Sequence, residues 1–419
     1  MIYTLKTGLL VGILFVMSGC GDITSLEESI KETPLNRNFN PNSTKSDLSI
    51  LAQNNNDFAF KLFKKLYSDE DKNIFFSPYS ISEALAMVYA GAKNETKMQI
   101  ASVFNFDTKN DTLLHNSFNG LNLHLTNRDN NHSIFEVSNS IWVQKDYFIF
   151  ESYLTFLETN YGIPIRNLDF LNKPESSREQ INEWIEEKTH QRIKDILDKE
   201  AITIDTRVVL TNSVYFKGFW ASPFFESRTK SDIFTLNDAS TQKVAFMHQY
   251  ERPIRYFKAK DYQALELLYQ GGNTSMVIIL PNSQQFEDVV SNIEKYYSET
   301  IKNLSQNLIN LKMPKFEFTT PVYDIKKYLQ ELGMKLAFSN ADFGAMTDDT
   351  TLYIDSIAHK AFIKVDENGT EASASTVVVD SNGSFRETTD FNMVRPFIFF
   401  IKDTLTNQIL FMGVIKSIN

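Results

Sequence analysis

The order in which two periodicities appear along the chain limits its fold more than any other feature. Leu48, Leu51, Ala52, Ala59, Leu62, Phe63 and Leu66 recur at helical spacing. The stretch "SPYSISEALAMVYAGA" opens a second helix, with Pro78 suited to the first helical position behind Ser77. A capping box of Ser80 and Glu83 is the alternative start, and Gly91 is a stop. Further on the pattern changes. "VVLTNSVYFKG", "TSMVIILP" and "LINLKMPKFEF" are runs of β-branched and aromatic residues bounded by turn residues, and these predict strands. "YDIKKYLQELGM" is helical again. "RPFIFFIKDTLTNQILFMGVI" reads as two buried strands joined by a polar turn from Asp403 to Asn407. Helices early and strands late predict an α+β fold, because a parallel α/β sheet needs the two to alternate. No repeat, linker or break in composition interrupts residues 47–419, which therefore form one domain.

The first twenty residues follow different rules. "MIYTLKTGLLVGILFVMSGC" places Lys6 ahead of an apolar run from Leu9 to Met17, too short to span a bilayer and of signal-peptide proportions. Cys20 is the one cysteine of the chain, so no intrachain disulfide can form. Ser18-Gly19-Cys20 resembles a bacterial lipobox, with Met17 where leucine is usual. Residues 1–19 are thus expected to be a lipoprotein signal peptide, Cys20 the lipidated residue and the membrane anchor, and residues 20–46 a flexible polar tether. Gly21 in place of aspartate points to the outer membrane or cell surface of a bacterial, extracytoplasmic protein.

A formal charge of −10 gives no electrostatic case for nucleic acid. The chain has no serine flanked two residues away on both sides by glycine, no H-E-x-x-H, no Walker loop and no G-x-G-x-x-G. The six histidines are scattered without metal-ligand spacing. No enzyme activity, metal or cofactor is expected.

Several segments, in order, resemble one family. "NIFFSPYSISEALAMVYAGAKNET", with Asn73, Ser77 and Pro78, is similar to the second-helix region of serpins. "LTNSVYFKGFWASPF" resembles a serpin strand motif through Asn212, Tyr215, Phe216, Lys217, Gly218 and Trp220. "SIAHKAFIKVDENGTEASAST" matches the strand leading into the serpin reactive-loop hinge, and "RPFIFFIKDTLTNQILFMG" the C-terminal signature, with Val394 departing from the usual polar residue. The resemblance implies three β-sheets, eight or nine helices and an exposed reactive-centre loop. It also implies a mechanism: a serine (or cysteine) endopeptidase cuts the loop, is held as an acyl-enzyme, and is trapped when the loop inserts into the main sheet. Such an inhibitor acts as a monomer, and the target endopeptidase is its covalent partner. A non-inhibitory serpin, acting as a binding or chaperone-like module, is the alternative. Ser77, Asn212 and His359 take the positions of a gate under the sheet centre, and Trp220 that of a tryptophan near the hinge entry.

The hinge runs through Glu367, Gly369, Thr370, Glu371, Ala372, Ser373, Ala374, Ser375 and Thr376. A strand alternates faces with period two. Thr370, Ala372, Ala374, Thr376 and Val378 share a small, uncharged face fit for burial; Glu371, Ser373 and Ser375 begin the opposite one. Gly369 supplies backbone freedom where the chain must swing. Asp380 falls on the inward parity and disfavours late insertion. The serpin spacing puts the reactive bond at Gly383-Ser384, with Phe385 and Arg386 as alternatives in a loop longer than usual.

Overall fold

The computed structural model describes residues 36–126, 133–370 and 387–418. Among these, the α-helices are α1 (Lys45–Asp69), α2 (Pro78–Gly91), α3 (Asn94–Phe104), α4 (Asp111–Thr126), α5 (Glu151–Tyr161), α6 (Pro174–Lys188), α7 (Phe286–Ser291), α8 (Ile293–Asn303) and α9 (Ile325–Leu332). The strands up to residue 281 are β1 (Ile74–Phe76), β2 (Ser133–Gln144), β3 (Ile165–Leu168), β4 (Val208–Phe219), β5 (Lys230–Thr235), β6 (Thr241–Lys258), β7 (Tyr262–Leu268) and β8 (Thr274–Pro281). After them come β9 (Ser305–Pro314), β10 (Phe316–Thr319), β11 (Tyr323–Asp324), β12 (Ser356–Lys360), β13 (Phe362–Val365), β14 (Gly369–Thr370), β15 (Thr389–Asn392), β16 (Phe397–Asp403) and β17 (Ile409–Ile415). The fold is α+β, as the order of periodicities predicts.

Two hydrogen-bonded networks carry three sheets. The larger network has the order β1-β17-β16-β8-β7-β6-β9-β15, with β5 on β6. Its long strand β6 serves two sheets. The first part pairs with β5 and β9, and the part after Arg252 pairs with β7 and β9. A register shift between Gln249 and Arg252 separates the two parts, and a bulge there bends the strand from one sheet into the other. The second network is the main sheet: β10-β13-β14-β4-β12-β11, with β2 and β3 on the far side of β4.

Period two along β4 explains how that sheet is buried on both faces. Leu210, Val214 and Phe216 belong to the large core shared with α2, whereas Val209 lies in a second cluster with Trp142, Ile181 and Ile185 beneath α6. Both faces of β4 are therefore apolar, and its burial is nearly continuous.

Helix starts resolve one alternative and correct one boundary. Ser77 is the cap of α2, accepting from the Ser80 N–H, with Pro78 at the first helical position. Ser80 and Glu83 lie inside the helix and form no capping box. The polar tether expected to reach residue 46 is tied down well before it. Arg37 donates to Asn119 (3.0 Å) and Asn122 (2.8 Å) of α4, and the Asn38 N–H donates to the Thr159 carbonyl of α5 (2.9 Å). Thr44 and Asp47 then cap α1 reciprocally. Polar composition hid the partners of Arg37 and Asn38 because they come from elements far along the chain. Residues 1–35, including the expected signal peptide and Cys20, lie outside the described residues.

Candidate functional site

Among the described residues, β4 carries two separate ladders on one side of the main sheet. Strand β12 runs parallel to β4 with Ser356 opposite Val209 and Lys360 opposite Ser213. Beyond that point β13 leaves β4. Among the described residues, the two are bridged again where β14 lies between them: Gly369 pairs with Phe219, and Thr370 pairs with both Gly218 and Val365. On this side of β4, Val214–Lys217 have no ladder partner among the described residues. The described start of the hinge, Gly369 and Thr370, thus sits as a wedge between β4 and β13.

Three groups fix the wedge. A Cβ on residue 369 would lie 2.0 Å from the Gly218 carbonyl oxygen, so only glycine lets the chain approach β4 this closely. Thr370 is 2% exposed, and its hydroxyl is 2.7 Å from the Tyr269 hydroxyl. Trp220 holds the loop before it: its indole N–H donates to the Asp366 carbonyl (3.1 Å) and its backbone N–H to the Asn368 carbonyl (2.8 Å). The indole stacks on Tyr269 at 4.6 Å and 13°, so the same pair of rings supports both hinge strand and turn. Glu367 accepts from Thr229 (2.6 Å) and Lys315 (2.7 Å), and its carbonyl accepts from the Phe224 N–H (2.8 Å). Burial raises the Glu367 pKa, but Lys315 and Thr229 outweigh it, and the carboxyl is held below its usual range.

Where β12 pairs with β4, Ser77, Asn212 and His359 come together. His359 opposes Asn212 across β12 and β4. Its Nε2 accepts from the Ser77 backbone N–H (3.2 Å), so Nδ1 carries the proton and donates to Asn212 Oδ1 (2.6 Å). Asn212 Oδ1 also accepts from Ser80 (2.8 Å), and its amide donates to Asn139 of β2. Asn139 in turn donates to Glu83 Oε2 (2.9 Å), whose Oε1 accepts from Tyr79 (2.9 Å) and Asn122 (2.8 Å). A polar chain therefore runs from the main sheet through α2 to Arg37. Ser77 Oγ donates to the Leu410 carbonyl (2.7 Å) and is fully buried. Its hydroxyl proton goes to that carbonyl and the His359 Nε2 lone pair is taken by the Ser77 backbone N–H, so the pair is not arranged as a nucleophile and its base. Among the described residues no group of three His, Cys, Asp or Glu side chains could hold a metal ion.

Ser80, Glu83, Asn139 and Tyr269 were not predicted as parts of this site. Asn139 carries a readable signal, an amide on the parity of β2 that it shares with Phe135, Val137, Ile141 and Val143. Glu83 carries a misleading one, since its spacing from Ser80 imitates a helix cap. The residues Glu371, Ala372, Ser373, Ala374, Ser375, Thr376, Gly383, Ser384, Phe385 and Arg386 lie outside the described residues.

Burial pushes the His359 pKa down from 6.5 to about 3 and that of His115 to about 4. Below pH 6.5 the unfolded chain takes up protons that the folded chain refuses, so each histidine withdraws stability as pH falls towards its folded value. Burial raises the pKa of Glu83, which has the opposite sign: the folded carboxyl takes up its proton at higher pH than the unfolded one. Burial raises Asp57 and Asp355 in the same way, but the two histidines begin to titrate at higher pH and the depressed carboxyls of Glu266 and Glu367 act with them, so melting temperature should fall between pH 6.5 and pH 4.5. His359→Gln keeps a donor and an acceptor but cannot titrate. Its denaturant-derived stability should fall less steeply with acid, by up to about 1 kcal/mol per pH unit. Parallel profiles for the two proteins would show that His359 is not the titrating group.

The geometry defines a class: an α+β protein in which the start of a hinge segment is laddered between two strands of the main sheet. Comparison with known proteins gives the family. A family model described as serpin (serine protease inhibitor) matches residues 53–418. An uncharacterised serpin-like protein of Thermococcus kodakarensis is 39% identical over 85% of this chain and 83% of its own. The leukocyte elastase inhibitor of Sus scrofa is 35% identical over 88% of this chain and 99% of its own. Human thyroxine-binding globulin, solved with thyroxine bound, superposes with a TM-score of 0.80 at 28% identity, over 89% of this chain and 100% of that one. The chain belongs to the serpin family. Many members of that family inhibit proteases by forming complexes with them.

Proposed function

We propose that this serpin is inhibitory: it offers residues 383–386 to a serine (or cysteine) endopeptidase, is cut there, and traps the enzyme as an acyl-enzyme while the hinge extends into the main sheet. The observation that carries this reading is the pairing of Gly369 and Thr370 with β4 on one side and β13 on the other, which sets the start of the hinge between the two strands. An inserting strand needs free edges on both sides, and Val214–Lys217, without a ladder partner there among the described residues, supply one of them. The small, uncharged inward parity of residues 370–378 supplies side chains that can pass. The likeness to an elastase inhibitor over nearly its whole length supports the same reading.

The test is incubation of the protein with trypsin-, chymotrypsin- and elastase-like enzymes, read on denaturing gels and by mass spectrometry. A covalent complex with one of them, and a new N-terminus within 384–387, is the expected result. Cleavage with no complex for any enzyme would leave the binding or chaperone-like reading, for which the thyroxine-bound structural neighbour is a precedent in fold.

We further propose that Cys20 carries a lipid that holds the monomeric inhibitor on the outside of a bacterial envelope. The support is the apolar run, the lipobox-like Ser18-Gly19-Cys20 and the polar stretch after it. Cys20→Ala should move the protein from the membrane to the soluble fraction and leave complex formation unchanged. Retention of the variant in the membrane fraction would place the anchor elsewhere.

A further inference from the structure

Behind the hinge support lies a cavity that the inhibitory mechanism does not use. It measures about 350 Å³ and opens between the segment after β4, strand β6 and strand β7. That is within the range of small-molecule sites. Trp220, Phe224, Ile254 and Leu267 make an apolar wall, and Arg252 and Arg255 stand at the polar side. The two arginines differ. Arg255 is spent on Glu266, whose other oxygen accepts from Ser275 (2.7 Å) and pairs with Lys402 (3.2 Å). That buried carboxylate is therefore compensated within the fold. Arg252 makes no ion pair and no side-chain hydrogen bond among the described residues.

The backbone places Arg252 at this spot by a costly device. It is the first residue after the bulge in β6. Within the bulge Glu251 adopts a left-handed conformation, φ 53°, that a non-glycine residue seldom takes. The Asn310 side chain holds it there by accepting from the Glu251 N–H (3.1 Å). Pro253 then keeps Arg252 extended. A bulge of this kind re-aims one side chain relative to the ladder, and here the re-aimed side chain is the unpaired guanidinium at the mouth of an apolar cavity.

We propose that this cavity is a binding site for an amphiphilic organic carboxylate, such as a medium-chain fatty acid, with the carboxylate on Arg252 and the apolar body against Trp220, Phe224 and Leu267. A guanidinium receives a carboxylate through two parallel N–H donors, and the tail finds the wall. Charge chooses the class: with Glu266 compensated, Arg252 leaves the polar side net positive, which disfavours an amine and gives a neutral alcohol no partner of equal strength. Occupancy reaches the hinge. The backbone N–H groups of Trp220 and Phe224 hold the carbonyls of Asn368 and Glu367, each at 2.8 Å, so a ligand packed on this segment stiffens the support of the wedge.

The test uses the intact protein with decanoate, decanol and decylamine as probes, followed by calorimetry and by tryptophan fluorescence, to which Trp220 contributes. Decanoate is expected to bind with one site per chain, and Arg252→Gln to weaken it about ten- to hundredfold, the loss of one charge-assisted contact. Arg252→Lys should recover part of that loss. Amide hydrogen exchange in peptides covering 219–225 should slow on addition of decanoate to the parent and not to Arg252→Gln. Equal binding of decanoate and decanol, or equal binding by parent and Arg252→Gln, would overturn the site. Binding without slowed exchange at 219–225 would overturn its link to the hinge. Neither readout depends on whether the loop inserts, so failure of the inhibitory reading is scored separately.

Discussion

Cleavage within residues 383–386 is expected to raise the melting temperature by roughly 20 °C or more. The cause is a change in hydrogen-bond partners. Among the described residues, Val214–Lys217 of β4 have no ladder partner on the side where β12 pairs below and Gly369 and Thr370 pair above. A strand continuing downward from Thr370 would give β4 and β13 a common partner. Each ladder bond is worth about 0.5–1.5 kcal/mol net, so about a dozen residues contribute on the order of 10 kcal/mol before side-chain burial is added. For a domain of this size each kcal/mol moves the midpoint by about 2 °C. An ordinary surface loop behaves in the opposite way, since a nick frees two chain ends and leaves stability unchanged or lowered. The sign of the shift therefore discriminates. Melting curves before and after cutting, with the cut bond identified by mass spectrometry, give the answer, and an unchanged or lower midpoint in the cut protein would rule out insertion.

Replacing Thr370 by arginine should abolish covalent complex formation while the loop remains a protease substrate. Thr370 is 2% exposed, its hydroxyl is bonded to Tyr269, and its backbone is laddered to Gly218 and Val365. A guanidinium in that place would be buried against the stacked rings of Tyr269 and Trp220 with a hydroxyl as its nearest partner. A buried cation without a counter-charge costs several kcal/mol. The wedge would be expelled, and insertion would have to begin by burying a charge. Thr370→Ser, which keeps the hydroxyl, separates this effect from mere loss of a methyl group and should retain most of the activity. Complex formation by Thr370→Arg at the parental rate would show that entry into the sheet does not pass through this residue.

The molecule also divides into parts that were legible in the sequence and parts that were not. Periodicity alone reads out α1, α2 and α9, the long strand β4 and the C-terminal pair β16 and β17, because each is decided by neighbours within a few residues. The start of α2 at Pro78 is likewise local, since a serine cap and a proline with no N–H to satisfy suffice to set it. The tie-down of residues 37–44 was not legible, because Arg37 and Asn38 meet partners on α4 and α5 that no local pattern announces.

What the sequence by itself determined was the class of fold, the family, and the alternation that gives the hinge one small, uncharged face. What only the tertiary structure decided was where the hinge enters the sheet. The pairing of Gly369 and Thr370 with β4 and β13 has no periodicity to detect. Its existence depends on a 2.0 Å clearance that excludes a Cβ beside Gly218 and on two aromatic rings brought from β7 and the end of β4. The polar chain from His359 to Arg37 is decided in the same way. Each of its members has an ordinary local reading, as a cap, a strand amide or a core histidine. Only pairing of β4 with β12 and β2 aligns His359, Asn212 and Asn139, because hydrogen bonds between residues distant in the chain depend on strand register and not on sequence neighbourhood.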